Sequence, residues 1–146
     1  MGERVDDEIT IDAPLRDVAA VILDVGAYPS WIDGVRSARV LDTYDDGSPR
    51  NVRLRIDAKI MEVECTIEYR YDGDDVLWHL VDGDVLSQLD AHYQLVAQGP
   101  EHTWVGFHLD VDVSVPLPGY LKKRASRGIL EHGLSGLKRR VEEGTA

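Results

Sequence analysis

Val113-Ser114-Val115-Pro116-Leu117-Pro118 ends a long alternating segment, and residues 119–143 then read as one helix. Leu117, Leu121, Ala125, Ile129, Gly133, Leu137 and Val141 recur at every fourth position, which lays an apolar stripe along that helix. Gly128, Gly133 and Gly136 interrupt it. Each costs a helix about 1 kcal/mol relative to alanine. A helix keeps such residues where another surface approaches its backbone. That surface is a packed sheet or a ligand held between helix and sheet, and Gly128 and Gly133 are the expected points of closest approach.

Working back from the helix, the sequence keeps a period of two from residue 35 to residue 115. Strands are expected at 35–44, 51–58, 61–71, 76–81, 87–97 and 103–115. Asp45-Asp46-Gly47-Ser48-Pro49 and Asp72-Gly73-Asp74-Asp75 are turns by composition, whereas the junction Lys59-Ile60 is poor turn chemistry. Before this meander, residues 3–12 alternate, with Val5, Asp7, Ile9 and Ile11 on one face. Pro14 suits a helix start, and Val18, Ala19, Ile22 and Leu23 give a short amphipathic helix that Gly26 ends. Tyr28-Pro29-Ser30-Trp31 begins a second helical turn, closed by Gly34. Strand, two helices, six strands and a long helix make an α+β layout, with the helix covering one face of a seven-stranded antiparallel sheet. The whole chain, residues 1–146, reads as one domain.

Alternation assigns the faces. Leu54 and Ile56 share one face with Cys65, Ile67, Tyr69, Trp78, Tyr93, Leu95, Phe107 and Leu109. Pairing Tyr71 with Val76, Trp78 with Tyr93, and Tyr93 with Phe107 sets Tyr69, Trp78, Tyr93 and Phe107 in one row. Arg53, Arg55 and Asp57 fall on the other face. The same registers set Glu68, His79, His92 and His108 in an outer row, with Asp90 opposite Asp110. Such a row is nearly flat, and strands stand ~4.8 Å apart, so its ends cannot share one ion. No metal or other cofactor is expected.

Composition bounds the function. Hydrophobic residues make up 43% and charged residues 29% of the 146, as in ordinary globular proteins. Residues 1–8 are polar and acidic, so no signal peptide is read, and one cysteine, Cys65, allows no internal disulfide. A reducing cytoplasm is the expected setting. The net charge of −11 argues against nucleic acid. Yet residues 118–141 carry Lys122, Lys123, Arg124, Arg127, Lys138, Arg139 and Arg140 against Glu131, a local +6 that leaves −17 elsewhere. This is a solvated helix face attracted to an acidic body, or a transient dock for an anionic membrane or acidic partner.

Four motifs, in order, are Ile9-Thr10-Ile11-Asp12-Ala13-Pro14, Tyr28-Pro29-Ser30-Trp31, Val76-Leu77-Trp78 running on to Gly83, and Val115-Pro116-Leu117-Pro118. With the element order, they resemble the START/Bet v1-like superfamily over residues 5–142. The nearest part is the bacterial polyketide cyclase/dehydrase and lipid transport group, similar to the coenzyme Q-binding proteins. The resemblance implies a helix-grip fold in which a curved sheet wraps the last helix around a cavity for a lipid, sterol, quinone or polyketide. It places Tyr28 and Trp31 near the cavity entrance. The expected ligand wall is then Tyr28, Trp31, the inner-face residues named above, and Leu121, Ala125, Gly128, Ile129 and Gly133 of the helix. Binding or carrying a hydrophobic small molecule is the first reading. A polyketide cyclase/dehydratase is the alternative, although the inner face offers only Tyr69, Tyr71, Tyr93, Trp78 and Cys65 and no evident base, so no catalytic residue is assigned. An interaction module docking through the basic helix is the third.

Overall fold

The computed structural model describes residues 3–59 and 61–143. The elements are β1 (Glu3–Ile11), α1 (Leu15–Leu23), a 3-10 turn (Val25–Ala27), α2 (Tyr28–Trp31), β2 (Val35–Val40), β3 (Asn51–Asp57), β4 (Glu62–Asp72), β5 (Asp75–Gly83), β6 (Leu86–Ala97), β7 (Thr103–Val113) and α3 (Gly119–Glu142). The strands form one antiparallel sheet in the order β1-β7-β6-β5-β4-β3-β2. The first strand closes on the last, with Val5 opposite Leu109 and Ile9 opposite Val105. α3 packs on β1, β7 and α1. The fold is the α+β helix-grip arrangement.

Strand ends follow side-chain hydrogen bonds. β2 stops at Val40 instead of running to residue 44, because the Asp42 carboxylate accepts the Asn51 N–H at 2.9 Å where a ladder carbonyl would stand. β7 stops at Val113 instead of 115, where the Ser114 N–H leaves the ladder for the Val85 carbonyl at 2.7 Å. Between β3 and β4, Lys59 takes a φ of 73°, and the Asp57 carboxylate accepts its N–H at 2.9 Å. The side chain before the junction thus supplies the turn chemistry that the junction lacks. Ile60 lies outside the described residues.

The registers agree with expectation at Tyr69–Trp78, Tyr71–Val76 and Tyr93–Phe107. They differ between β5 and β6, where Val76 faces Tyr93 and Trp78 faces Ala91. β5 extends to Gly83 and β6 begins at Leu86, so the reversal falls on Asp84-Val85. Asp84 fixes it there, accepting the N–H groups of Val85 at 2.7 Å and Glu64 at 3.1 Å. A shift of two keeps every residue on its face, and the aromatic cluster survives as a diagonal. Tyr69 stacks on Trp78 at 5.3 Å and Tyr93 on Phe107 at 4.1 Å, with Trp78 at 5.5 Å from Tyr93 and 5.9 Å from Phe107. On the outer face the same shift breaks the expected row. His79 opposes Asp90, while His92 pairs with His108 and Asp90 also faces Asp110. Among the described residues no group of three or more donors is placed to hold a metal.

The helix stripe also turns out differently. A repeat of four residues advances about 40° per step around an α-helix, so a stripe drawn that way drifts off the core. In the first half Leu121, Ala125 and Ile129 are only half-buried. In the second half the buried residues are Leu130, Gly133, Leu134, Gly136, Leu137 and Val141, spaced by three and four. The glycines divide. A Cβ on Gly133 would stand 2.8 Å from Phe107 Cε2 and 3.1 Å from the Tyr93 hydroxyl, and one on Gly136 would collide with the Trp31 carbonyl oxygen. Gly128, expected to be a point of close approach, has nothing within 4 Å of the same position.

Candidate functional site: an apolar pocket between sheet and helix

The half-buried first part of α3 leaves a pocket of about 110 Å³ between itself and the sheet. One water needs roughly 10–15 Å³ of such space, so the pocket has room for an organic group. Of the expected wall residues, Tyr28, Trp31, Leu54, Ile56, Ile67, Tyr69, Trp78, Tyr93, Phe107, Leu109, Ala125, Ile129 and Gly133 line it. Four do not. Cys65 and Leu95 are buried within the core, and Leu121 and Gly128 border an adjoining groove beside β2 and the β3–β4 junction, which shares Ile56, Ala125 and Ile129 with the pocket.

The pocket also uses Met61, Leu86, Leu89, Val111, Val113, Leu117, Ser126 and the pair Asp112 and Lys122. Leu89 and Val111 keep the phase of Tyr93 and Phe107, so alternation alone would have found them. Asp112 and Lys122 are legible only in three dimensions: their charged ends meet at 3.3 Å where β7 finishes and α3 begins.

The hydroxyls of the pocket's buried tyrosines are engaged with protein partners. The Tyr28 hydroxyl donates to the Ile22 carbonyl. With that proton spent, the 2.6 Å contact between Tyr28 and Tyr69 hydroxyls is donated by Tyr69. The Tyr93 hydroxyl donates to the Gly133 carbonyl at 3.1 Å, which ties sheet to helix. Burial pushes all three phenols well above their ordinary range. It pushes the Tyr71 phenol up to about 12 and the Cys65 thiol to about 11. Asp112 is held ionised, its pKa lowered by the Val113 N–H and by Lys122. Tyr69→Phe removes the donor to Tyr28 while Tyr28 keeps its own acceptor. The expected loss is about 1 kcal/mol, read as a melting temperature lower by roughly 2–4 °C.

The charged residues of β3 point away from the pocket. Arg53 meets Thr66 at 3.0 Å and Glu64 at 3.3 Å, Arg55 meets Glu62, and Asp57 meets Arg36 at 2.8 Å. The basic helix is partly spent on its own protein. Besides Lys122, Lys138 binds Glu142 at 2.5 Å and the Thr10 carbonyl at 2.8 Å, and Arg139 reaches the Trp31 carbonyl at 3.4 Å. Lys123, Arg124 and Arg127 are exposed. No helix among the described residues is long and apolar enough to cross a membrane.

Known structures share this architecture. A START superfamily protein from Mycobacterium smegmatis superposes with a TM-score of 0.88 at 26% identity, over 96% of this chain and 97% of that one. The protein TTHA0849 from Thermus thermophilus gives 0.82 at 21% identity, over 99% and 100%. The Zhui aromatase/cyclase from Streptomyces sp. R1128 gives 0.76 at 16% identity, over 97% and 96%. The last two likenesses speak for the fold alone. No protein of curated function matches. The likeness to coenzyme Q-binding proteins rests on the sequence motifs only. Residues 3–142 match the family described as polyketide cyclase / dehydrase and lipid transport, within the START/Bet v1 superfamily, and the chain belongs to it.

Proposed function

We propose that this chain binds or carries a hydrophobic small molecule (a lipid, an isoprenoid quinone or a polyketide-like ring) in the pocket between the sheet and α3, in the cytoplasm. The observation that carries this reading is the lining. It is aliphatic and aromatic, with three tyrosines whose protons are committed to protein acceptors and one ion pair at its edge. Apolar burial would supply affinity at ~25 cal/mol per Å².

Cyclisation or dehydration of a polyketide in the same pocket is the second reading. The Asp112–Lys122 pair speaks for it, as the charged group nearest a bound molecule. The tyrosines and Cys65 do not support it, because burial holds them protonated and none is a base near neutral pH.

Native mass spectrometry of the protein purified from its own host tests the first reading. The expected result is a co-purifying apolar mass that organic extraction removes and that lipid, quinone or an apolar dye replaces. A protein that carries nothing and binds none of these would overturn it.

A further inference from the structure

One layer of side chains divides the pocket from the groove beside β2. Ile32, Val35, Ile56, Ala58, Ala125 and Ile129 line both spaces. All six are half-buried, so this layer is the rim at which the pocket meets solvent. The groove holds about 810 Å³ and the pocket about 110 Å³, and an occupant longer than the pocket emerges here, between β2, the end of β3 and α3. Charged side chains border the groove. Arg36 is taken by Asp57 at 2.8 Å. Lys59, Arg124 and Arg127 are exposed, and among the described residues none of the three has a carboxylate within 4.0 Å. They outnumber the unpaired acids of the groove, Asp33 and Glu131.

Gly128 borders the groove beside Arg127 and one turn on from Arg124. An interior glycine weakens a helix, and Gly133 and Gly136 each answer to a protein neighbour. Gly128 does not. A Cβ there would meet nothing within 4 Å, and its φ lies outside the left-handed region. Neither the packing nor the backbone of this chain calls for glycine at 128. What it provides is a bare strip of helix backbone on the groove wall, next to two arginines.

We propose that the occupant is a single-chain amphiphile with an acid head group: its apolar body in the pocket, its neck against α3 at Gly128, and its head on Arg124 and Arg127. The inference rests on the carrier reading and narrows it from apolar molecules at large to those that end in an anion. An ion cannot follow the chain into an apolar pocket, because losing its hydration costs more than the contacts return. The head therefore stays at the rim. Two guanidinium groups three residues apart on a helix are neighbours, and they meet an acid there with charge-assisted hydrogen bonds. A neutral head makes no use of them.

Decanoate and 1-decanol share a chain and differ in the head, and each is titrated into the full chain by calorimetry. Decanoate is expected to bind about five- to thirtyfold more tightly, an advantage that shrinks as salt is added. Arg124→Gln combined with Arg127→Gln should remove the advantage and leave the affinity for decanol unchanged. Both positions are exposed, and glutamine suits a helix as arginine does. Lys123→Gln, exposed on the same helix but outside the groove, should leave the advantage intact. Gly128→Leu should weaken both probes about tenfold. Decyl phosphate, run beside them, tells two acids apart, and the tighter binder names the head. The inference is overturned by decanol binding as tightly as decanoate, by an advantage that survives the double variant or falls equally in Lys123→Gln, or by unchanged binding in Gly128→Leu. In each of those cases bound decanol leaves the carrier reading standing. Failure of every probe, together with an empty protein from the host, would overturn both.

Discussion

Gly136→Ala is expected to cost about 2 kcal/mol of stability and to lower the melting temperature by roughly 4–8 °C. Replacing glycine by alanine inside a helix normally gains up to about 1 kcal/mol. Here the added methyl would collide with the backbone carbonyl oxygen of Trp31. A backbone atom cannot rotate away, so either α3 or α2 must shift. A shift of α2 takes the Arg139 contact and the Tyr28–Tyr69 hydrogen bond with it. Gly128→Ala is the internal control in the same helix. It has nothing within 4 Å of the new methyl, so the helix gain is unopposed and stability should rise by about 0.5–1 kcal/mol. Gly133 lies between them, because its neighbours at 2.8 and 3.1 Å are the ends of the Phe107 and Tyr93 side chains. Thermal unfolding of the first two variants checks the argument. Equal shifts of the same sign would show that the glycines of α3 do not differ in what approaches them.

These three residues also mark how far the sequence could be read. Period-two alternation and the turn residues yield the seven strands to within a few positions, because each face is buried or solvated as a whole. The Asp84-Val85 reversal was not legible. Its position depends on a carboxylate reaching across to the Glu64 N–H on β4, and no local pattern announces a contact of that range. The error was of two residues, so the inner face kept its members, while the outer histidine row, which depended on direct opposition, dissolved. In α3 the four-residue spacing was real but misleading, since it drifts around the helix. Its first half therefore borders the pocket and its second half packs on the core. Gly128 and Gly133 looked equivalent in sequence and part for this reason. The Asp112–Lys122 pair belongs to the same class of feature, a meeting of residues from separate elements that is visible only once the sheet is wrapped on the helix.

Ala125→Leu is expected to raise stability and weaken binding together. Ala125 is half-buried and lines the pocket from α3. Both residues are strong helix formers, so the backbone is indifferent to the change. The added carbons enter a pocket of about 110 Å³. At about 0.8 kcal/mol for each buried methylene-sized group, filling it gains up to roughly 2 kcal/mol. The gain comes from the space a ligand would use, so an apolar probe such as 9-fluorenone must then compete with the new side chain. Overpacking of 1–3 kcal/mol, at 1.4 kcal/mol per tenfold, lowers its affinity by about ten- to a hundredfold. The wild-type protein with probe at about a hundred times its dissociation constant gains about 2.7 kcal/mol, or roughly 5–10 °C in melting temperature. The variant should melt higher than the wild type without probe and gain only about 0.4–1.4 kcal/mol with it. The opposite pattern, a variant that melts lower and still gains the full shift, would mean that this part of α3 already packs against the sheet and that the probe lies elsewhere. Stability and binding moving in opposite directions through one side chain is the signature that separates a pocket kept open for a ligand from a loosely packed core.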